Sequence, residues 1–124
     1  MTQSLDYLIF DYSEDDEGNG TWDAMASVPA GRLGALAGEV EAILQWAGRA
    51  FPGRRGAIED GGDWDFDLHA QDDAGEALSA RYDEHAARMQ VHAARTGHTT
   101  ITLTVSGSAA FAEAFREAFC IEGD

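Results

Sequence analysis

Between positions 63 and 70 the chain reads Asp-Trp-Asp-Phe-Asp-Leu-His-Ala, a strict alternation of polar and apolar side chains. In a strand, successive side chains point to opposite faces. Asp63, Asp65, Asp67 and His69 therefore share one face, and Trp64, Phe66, Leu68 and Ala70 the other. A helix would scatter the same residues around its circumference. The segment requires a sheet with one dry side and one wet side, and the rest of the chain has to supply both the neighbouring strands and the cover for the dry side.

Candidate neighbours are easy to find. Tyr7 to Tyr12 and Trp22 to Val28 are rich in β-formers, with Leu8, Phe10 and Tyr12 on one face of the first and Trp22, Ala24, Ala26 and Val28 on one face of the second. The link between them, Ser-Glu-Asp-Asp-Glu-Gly-Asn-Gly, is turn-forming and acidic. In Thr100 to Val105, Ile101, Leu103 and Val105 alternate with three threonines.

Cover comes from two amphipathic helices. Pro29 opens the first, and Leu33, Leu36, Val40, Ile43, Leu44, Ala47 and Phe51 form its apolar stripe before Pro52-Gly53 ends it. Gly31, Gly34, Gly38 and Gly48 each weaken this helix by up to about 1 kcal/mol relative to alanine, so it depends on docking. Ser108 is a suitable N-cap for the last helix, whose stripe is Phe111, Phe115 and Phe119.

The stretch from Gln71 to Ala94 reads two ways. As a helix it has a stripe of Leu78, Tyr82, Met89 and Ala93, with Asp73 and Glu76 resembling a capping box. As two strands, Leu78, Ala80 and Tyr82 alternate with polar neighbours, as do Met89 and Val91. The helix leaves Val91 on its wrong side, which favours strands. The expected fold is a single α+β domain over residues 1–124. It has two layers, a mostly antiparallel sheet in the order ββαββββα, and both helices on one face.

Short connections predict local hairpins. The simplest register places Phe66 opposite Ala80, Asp65 opposite Arg81, Asp83 opposite Arg88, Gln90 opposite Thr102 and His92 opposite Thr100. The wet face then carries a polar row of Asp63, Asp65, Asp67, His69 and Arg81. At the N-terminus, Tyr12 opposite Trp22 brings Asp11 against Asp23, a like-charge pair that destabilises a ladder. Tyr7, Ile9 and Met25 fall on the outward face of that hairpin, and apolar residues there suggest a contact surface unless a neighbouring loop covers them.

Charge narrows the partners. The 124 residues hold 23 acidic and 8 basic side chains, for a net charge of −15, and every basic residue is arginine. With so much alanine and glycine, this composition is the one expected of a GC-rich bacterial genome. A field of this sign repels phosphate backbones and anionic membranes, so nucleic acid and membrane are disfavoured partners. It favours cations and basic proteins as partners, with a homo-oligomer as a further option. The hydrophobic fraction of 44% is ordinary for a folded protein. The start lacks a basic, apolar leader, no run is long enough to cross a bilayer, and the cytoplasm is the expected location. The single cysteine, Cys120, allows no intrachain disulfide and reads as a small helix side chain.

Motifs that carry chemistry are few. Asp15-x-Glu17-x-Asn19-Gly20-x-x-Asp23 echoes part of a calcium loop, with glycine at the sixth position but Ala26 at the twelfth. Asp11, Asp15, Glu17, Asn19 and Asp23 are thus candidate ligands for calcium or magnesium, and no other cofactor is expected. The aspartates of the 63–67 row lie about 7 Å apart and repel by only about 0.6 kcal/mol per pair in water, so they need no metal. His69, His85, His92 and His98 lack zinc-site spacing. No phosphate-binding loop or nucleophile elbow is present. The expectation is a non-catalytic protein-binding module, in an interaction or inhibitor-like role. Divalent-cation binding at the acidic loop is the alternative, and a hydrolase using the Asp63–His69 face is third.

Overall fold

The computed structural model describes residues 5–56 and 60–119, so Cys120 lies outside the described residues. Its elements are β1 (Phe10–Glu14), β2 (Gly20–Pro29), α1 (Ala30–Ala50), β3 (Trp64–Gln71), β4 (Ala77–Leu78), β5 (Ala80–Asp83), β6 (Arg88–Val91), β7 (His98–Gly107) and α2 (Ala109–Phe119). Five strands form an antiparallel sheet in the order β1-β2-β7-β3-β4, and β5 and β6 form a separate hairpin. The fold is α+β, as the alternation in the sequence requires, and the stretch after Gln71 consists of strands.

The middle of the sheet is β7. It pairs with β2 from Gly20↔Gly107 to Pro29↔His98 and with β3 from Trp64↔Gly107 to Gln71↔Thr100. Ile101, Leu103 and Val105 point to the dry side and are fully buried between Trp22, Ala24 and Val28 on one flank and Trp64 to Ala70 on the other. This arrangement corrects the local-hairpin register. Phe66 faces Val105, not Ala80, and Asp65 faces Ser106, not Arg81. Thr100 and Thr102 face β2 and β3, so neither His92 nor Gln90 lies opposite them. The physical reason is length. The dry face of β3 needs a partner along eight residues, which β7 supplies in matching alternation, while β4 meets β3 only at Ala70 and Gln71. The chain then leaves the sheet near Ser79 and folds back as the β5–β6 hairpin, where Asp83 does lie opposite Arg88 and Arg81 lies opposite Gln90.

Both helices cover the dry side. Pro29 is the last residue of β2 and the N-cap of α1, and the backbone N–H of Phe51 closes the other end on Ala47 O at 2.9 Å. Leu33, Leu36, Val40, Ile43, Leu44 and Ala47 are the buried stripe. Ser108 caps α2, its Oγ accepting from Phe111 N–H. Trp46 lies outside the apolar stripe that helical spacing predicts for α1. It stacks on Phe115 with centroids 5.7 Å apart and contacts Phe111 and Phe119, so it ties α1 to α2. Trp22 meets Phe115 edge-on at 5.0 Å and Trp64 stacks on Phe111. Gly107 is required where β7 turns into α2, because a Cβ there would collide with the Phe111 ring.

The hairpin packs onto α1. Gln45 Nε2 donates to Ala87 O at 2.6 Å, Met89 N–H donates to Glu41 Oε2 at 2.7 Å, and Met89 is buried. Tyr82 meets Phe66 edge-on at 6.1 Å.

Candidate functional site

With both helices on one side, no described helix covers the other side of the five-stranded sheet. Register fixes what it presents. One row across the strands is Ser13, Thr21, Ser106 and Asp65, and the next is Asp11, Asp23, Thr104 and Asp67. Beyond that, Met25, Thr102 and His69 align, and continuing the β1–β2 register by one residue sets Ile9 beside Met25. Ile9 is 81% exposed and Met25 64%, and they are the large apolar side chains exposed among the described residues.

The carboxylates on this face are not equivalent. Asp63 accepts from Arg54 Nε at 2.6 Å, and that hydrogen bond holds its carboxyl below the usual aspartate range. Asp65 accepts from Arg55 Nε at 3.0 Å, while Arg55 also reaches Glu84 at 2.9 Å and lies over the Phe66 ring. The corner near the start of β3 is therefore neutralised from within. Asp23 accepts from Thr104 Oγ1 at 2.6 Å, which orients the carboxylate without cancelling its charge. Asp11 and Asp67 make no hydrogen bond or ion pair with any described residue. Asp23 and Asp67 flank Thr104 about 10 Å apart, where their repulsion in water is about 0.4 kcal/mol. A row of three carboxylates, two of them beside the exposed Ile9 and Met25, can thus persist on a solvated sheet face.

Arg81 stands apart from this row. It donates to Gln90 Oε1 at 3.1 and 3.0 Å across the hairpin and meets His69 only as co-lining of a depression at the β3–β4 edge, which Asp65 does not line. Tyr7 is also displaced from the outward group. It is half-buried against the core, because Glu39 of α1 accepts from the backbone N–H groups of Asp6, Tyr7 and Leu8 at 2.6 to 3.1 Å and draws this segment onto the helix. A lone glutamate in the middle of a helix carries no sequence signal for that role.

In the acidic loop, Asp15 accepts from the N–H groups of Glu17 and Asn19 and from the Asn19 side chain at 2.9 to 3.0 Å. The Asn19 bond is the main reason its carboxyl sits below the usual range. Gly18, at φ +85°, completes the turn. Asp11 and Asp23 lie on the sheet face as the opposed pair the register predicts, whereas Glu17 and Asn19 belong to the loop tip. Among the described residues no group of three or more Asp, Glu, His or Cys side chains gathers in a form that could hold a metal ion. No described helix is long and apolar enough to cross a membrane.

Comparison of the chain with protein-family models, with curated proteins and with solved structures finds no match. Function therefore has to be argued from the surface itself.

Proposed function

We propose that this chain is a non-catalytic protein-binding module that meets a basic surface of its partner with the uncovered face of its sheet. The observation that carries this reading is the adjacency of Ile9 and Met25, both exposed, to the unneutralised Asp11 and Asp23, with Asp67 farther along the same row. An apolar centre beside charges of one sign is the composition of a protein contact, in which burial supplies affinity and charge supplies encounter rate and orientation. A hydrolase on the Asp63–His69 face has less support, because Asp65 is engaged by Arg55 and does not line the depression that holds His69. An inhibitor-like role, masking a basic site on another protein, is one form of this function. A cytoplasmic location belongs to the same proposal, since a chain with one cysteine gains no disulfide from an oxidising compartment.

The test is affinity capture from native extract at low salt, with wild type beside I9D/M25D and D11N/D67N. The expected result is a basic protein retained by wild type, lost with I9D/M25D, and associating more slowly with D11N/D67N and at higher salt. A partner retained equally by all three proteins, or none retained by wild type, would exclude this face.

A further inference from the structure

A second surface differs from the sheet face in every respect that matters for binding. Between the C-terminal half of α1, the start of β3 and the β5–β6 hairpin lies a cleft of about 610 Å³. That size suits a small organic molecule. Leu44, Phe51, Trp64 and Tyr82 form its apolar walls, and Arg49, Arg55 and Glu84 its charged ones. The two glycines on its rim, Gly48 and Gly53, leave open space where a Cβ would stand.

The polar groups of the cleft are unequally committed. Arg55 and Glu84 bind each other, and Arg55 also binds Asp65. Glu41, the other nearby acid, accepts from Met89 N–H and pairs with Arg88. Arg49 makes no hydrogen bond or ion pair with any described residue, and the Tyr82 hydroxyl makes no hydrogen bond with one. Burial, and after it the charges of Glu84 and Glu41, raise the Tyr82 pKa, so the O–H stays a donor at neutral pH, while the Arg49 charge is close enough to act on the phenol in the opposite sense. Gln45 donates through Nε2 to Ala87 O, which pins the hairpin tip as one wall. The walls carry two arginines against one glutamate in a chain whose net charge is −15.

We infer that this cleft binds a small aromatic monocarboxylate, its ring against Phe51 and Tyr82 with the edge of the buried Trp64 as the floor, and its carboxylate on the Arg49 guanidinium and the Tyr82 hydroxyl. The donors available are one planar guanidinium fork and one phenol, a set that matches a single carboxylate. A multiply charged phosphate ester is disfavoured because the net field of the protein repels it more strongly. A cationic ligand finds its counter-charges already engaged. Aromatic walls favour a flat apolar body, which stacks or meets them edge-on.

The experiment is titration of the full chain with 2-naphthoate, followed by calorimetry and by the indole N–H resonance of Trp64. Naphthalene-2-methanol and 2-naphthylmethylammonium serve as neutral and cationic controls. The expected result is saturable naphthoate binding, with a dissociation constant below about 1 mM, that shifts the Trp64 resonance. R49Q should weaken it by about tenfold, because a charge-assisted hydrogen bond is lost. G48L should abolish it by filling the cleft, while leaving thermal stability equal or higher because leucine replaces a helix glycine. Failure of naphthoate to bind would overturn the inference. So would equal binding of the ammonium or alcohol probe, or unchanged binding in folded G48L.

Discussion

Single side chains in this protein do work that their types do not announce, and Glu39 is the clearest case. Its carboxylate accepts from three successive backbone N–H groups, those of Asp6, Tyr7 and Leu8, and so holds the chain ahead of β1 against α1. Hydrogen bonds to a charged acceptor contribute about 1.5–3 kcal/mol, and half-buried N–H groups left without a partner add a desolvation cost. E39A should therefore lower stability in urea denaturation by about 1–3 kcal/mol and speed amide exchange at Tyr7 and Leu8. Asp63 acts through charge. The Arg54 hydrogen bond depresses its pKa in the folded protein, so its stabilising contribution is complete above the unfolded value of about 3.9 and disappears as pH falls through the lower folded value. Wild type should melt above D63N at pH 7, and the gap should close as the solution is acidified below the unfolded value. A gap that stays constant with pH would rule out the ion pair as its source.

Elements show a different division of labour. Most of the helix α1 is stabilised by its docked stripe and not by its own residues, since Gly34 and Gly38 occupy exposed interior positions where a Cβ would meet nothing. G34A and G38A should each stabilise the protein by about 0.5–1 kcal/mol, read from the denaturant midpoint, because alanine loses less backbone freedom on folding and clashes with nothing. The same substitution at Gly107 should destabilise, because the Phe111 ring fills the space a methyl would take. The β5–β6 hairpin is held by polar contacts to α1 at Glu41 and Gln45 and by Tyr82 against Phe66, outside the sheet ladder. It is the element whose position sequence spacing could least anticipate.

At the scale of the molecule, charge is segregated. The sheet face and the acidic loop hold Asp11, Asp16, Glu17, Asp23 and Asp67, while Arg49, Arg54 and Arg55 cluster at the end of α1 and the segment after it. Self-repulsion at a net charge of −15 opposes folding and is screened by salt within a Debye length of about 10 Å at 0.1 M. Raising sodium chloride from about 20 to about 300 mM should raise the melting temperature by a few degrees, the equivalent of about 1 kcal/mol. A melting temperature insensitive to salt would mean that the acids are neutralised more completely than the ion pairs at Arg54 and Arg55 account for.

Side-chain periodicity along the chain determined which face of each segment is dry. Trp64 is 3% exposed and Asp65 is on the wet side, Ile101, Leu103 and Val105 are core, and the Phe111–Phe115–Phe119 stripe is buried, all as alternation and helical spacing required. The Asp11↔Asp23 register was also legible, because a hairpin pairs neighbours in sequence. Only the tertiary structure decided which strand lies beside which. A period of two says that a residue faces the core but not what stands next to it, and the insertion of β7 between β2 and β3 joins segments far apart in the chain. That insertion gave Asp65 to Arg55 instead of Arg81 and set Asp67 in line with Thr104, Asp23 and Asp11. It also left the β5–β6 hairpin to close the cleft over Trp64. Local propensity acts over a few residues, whereas both candidate surfaces arise from contacts that form only once the whole sheet has assembled.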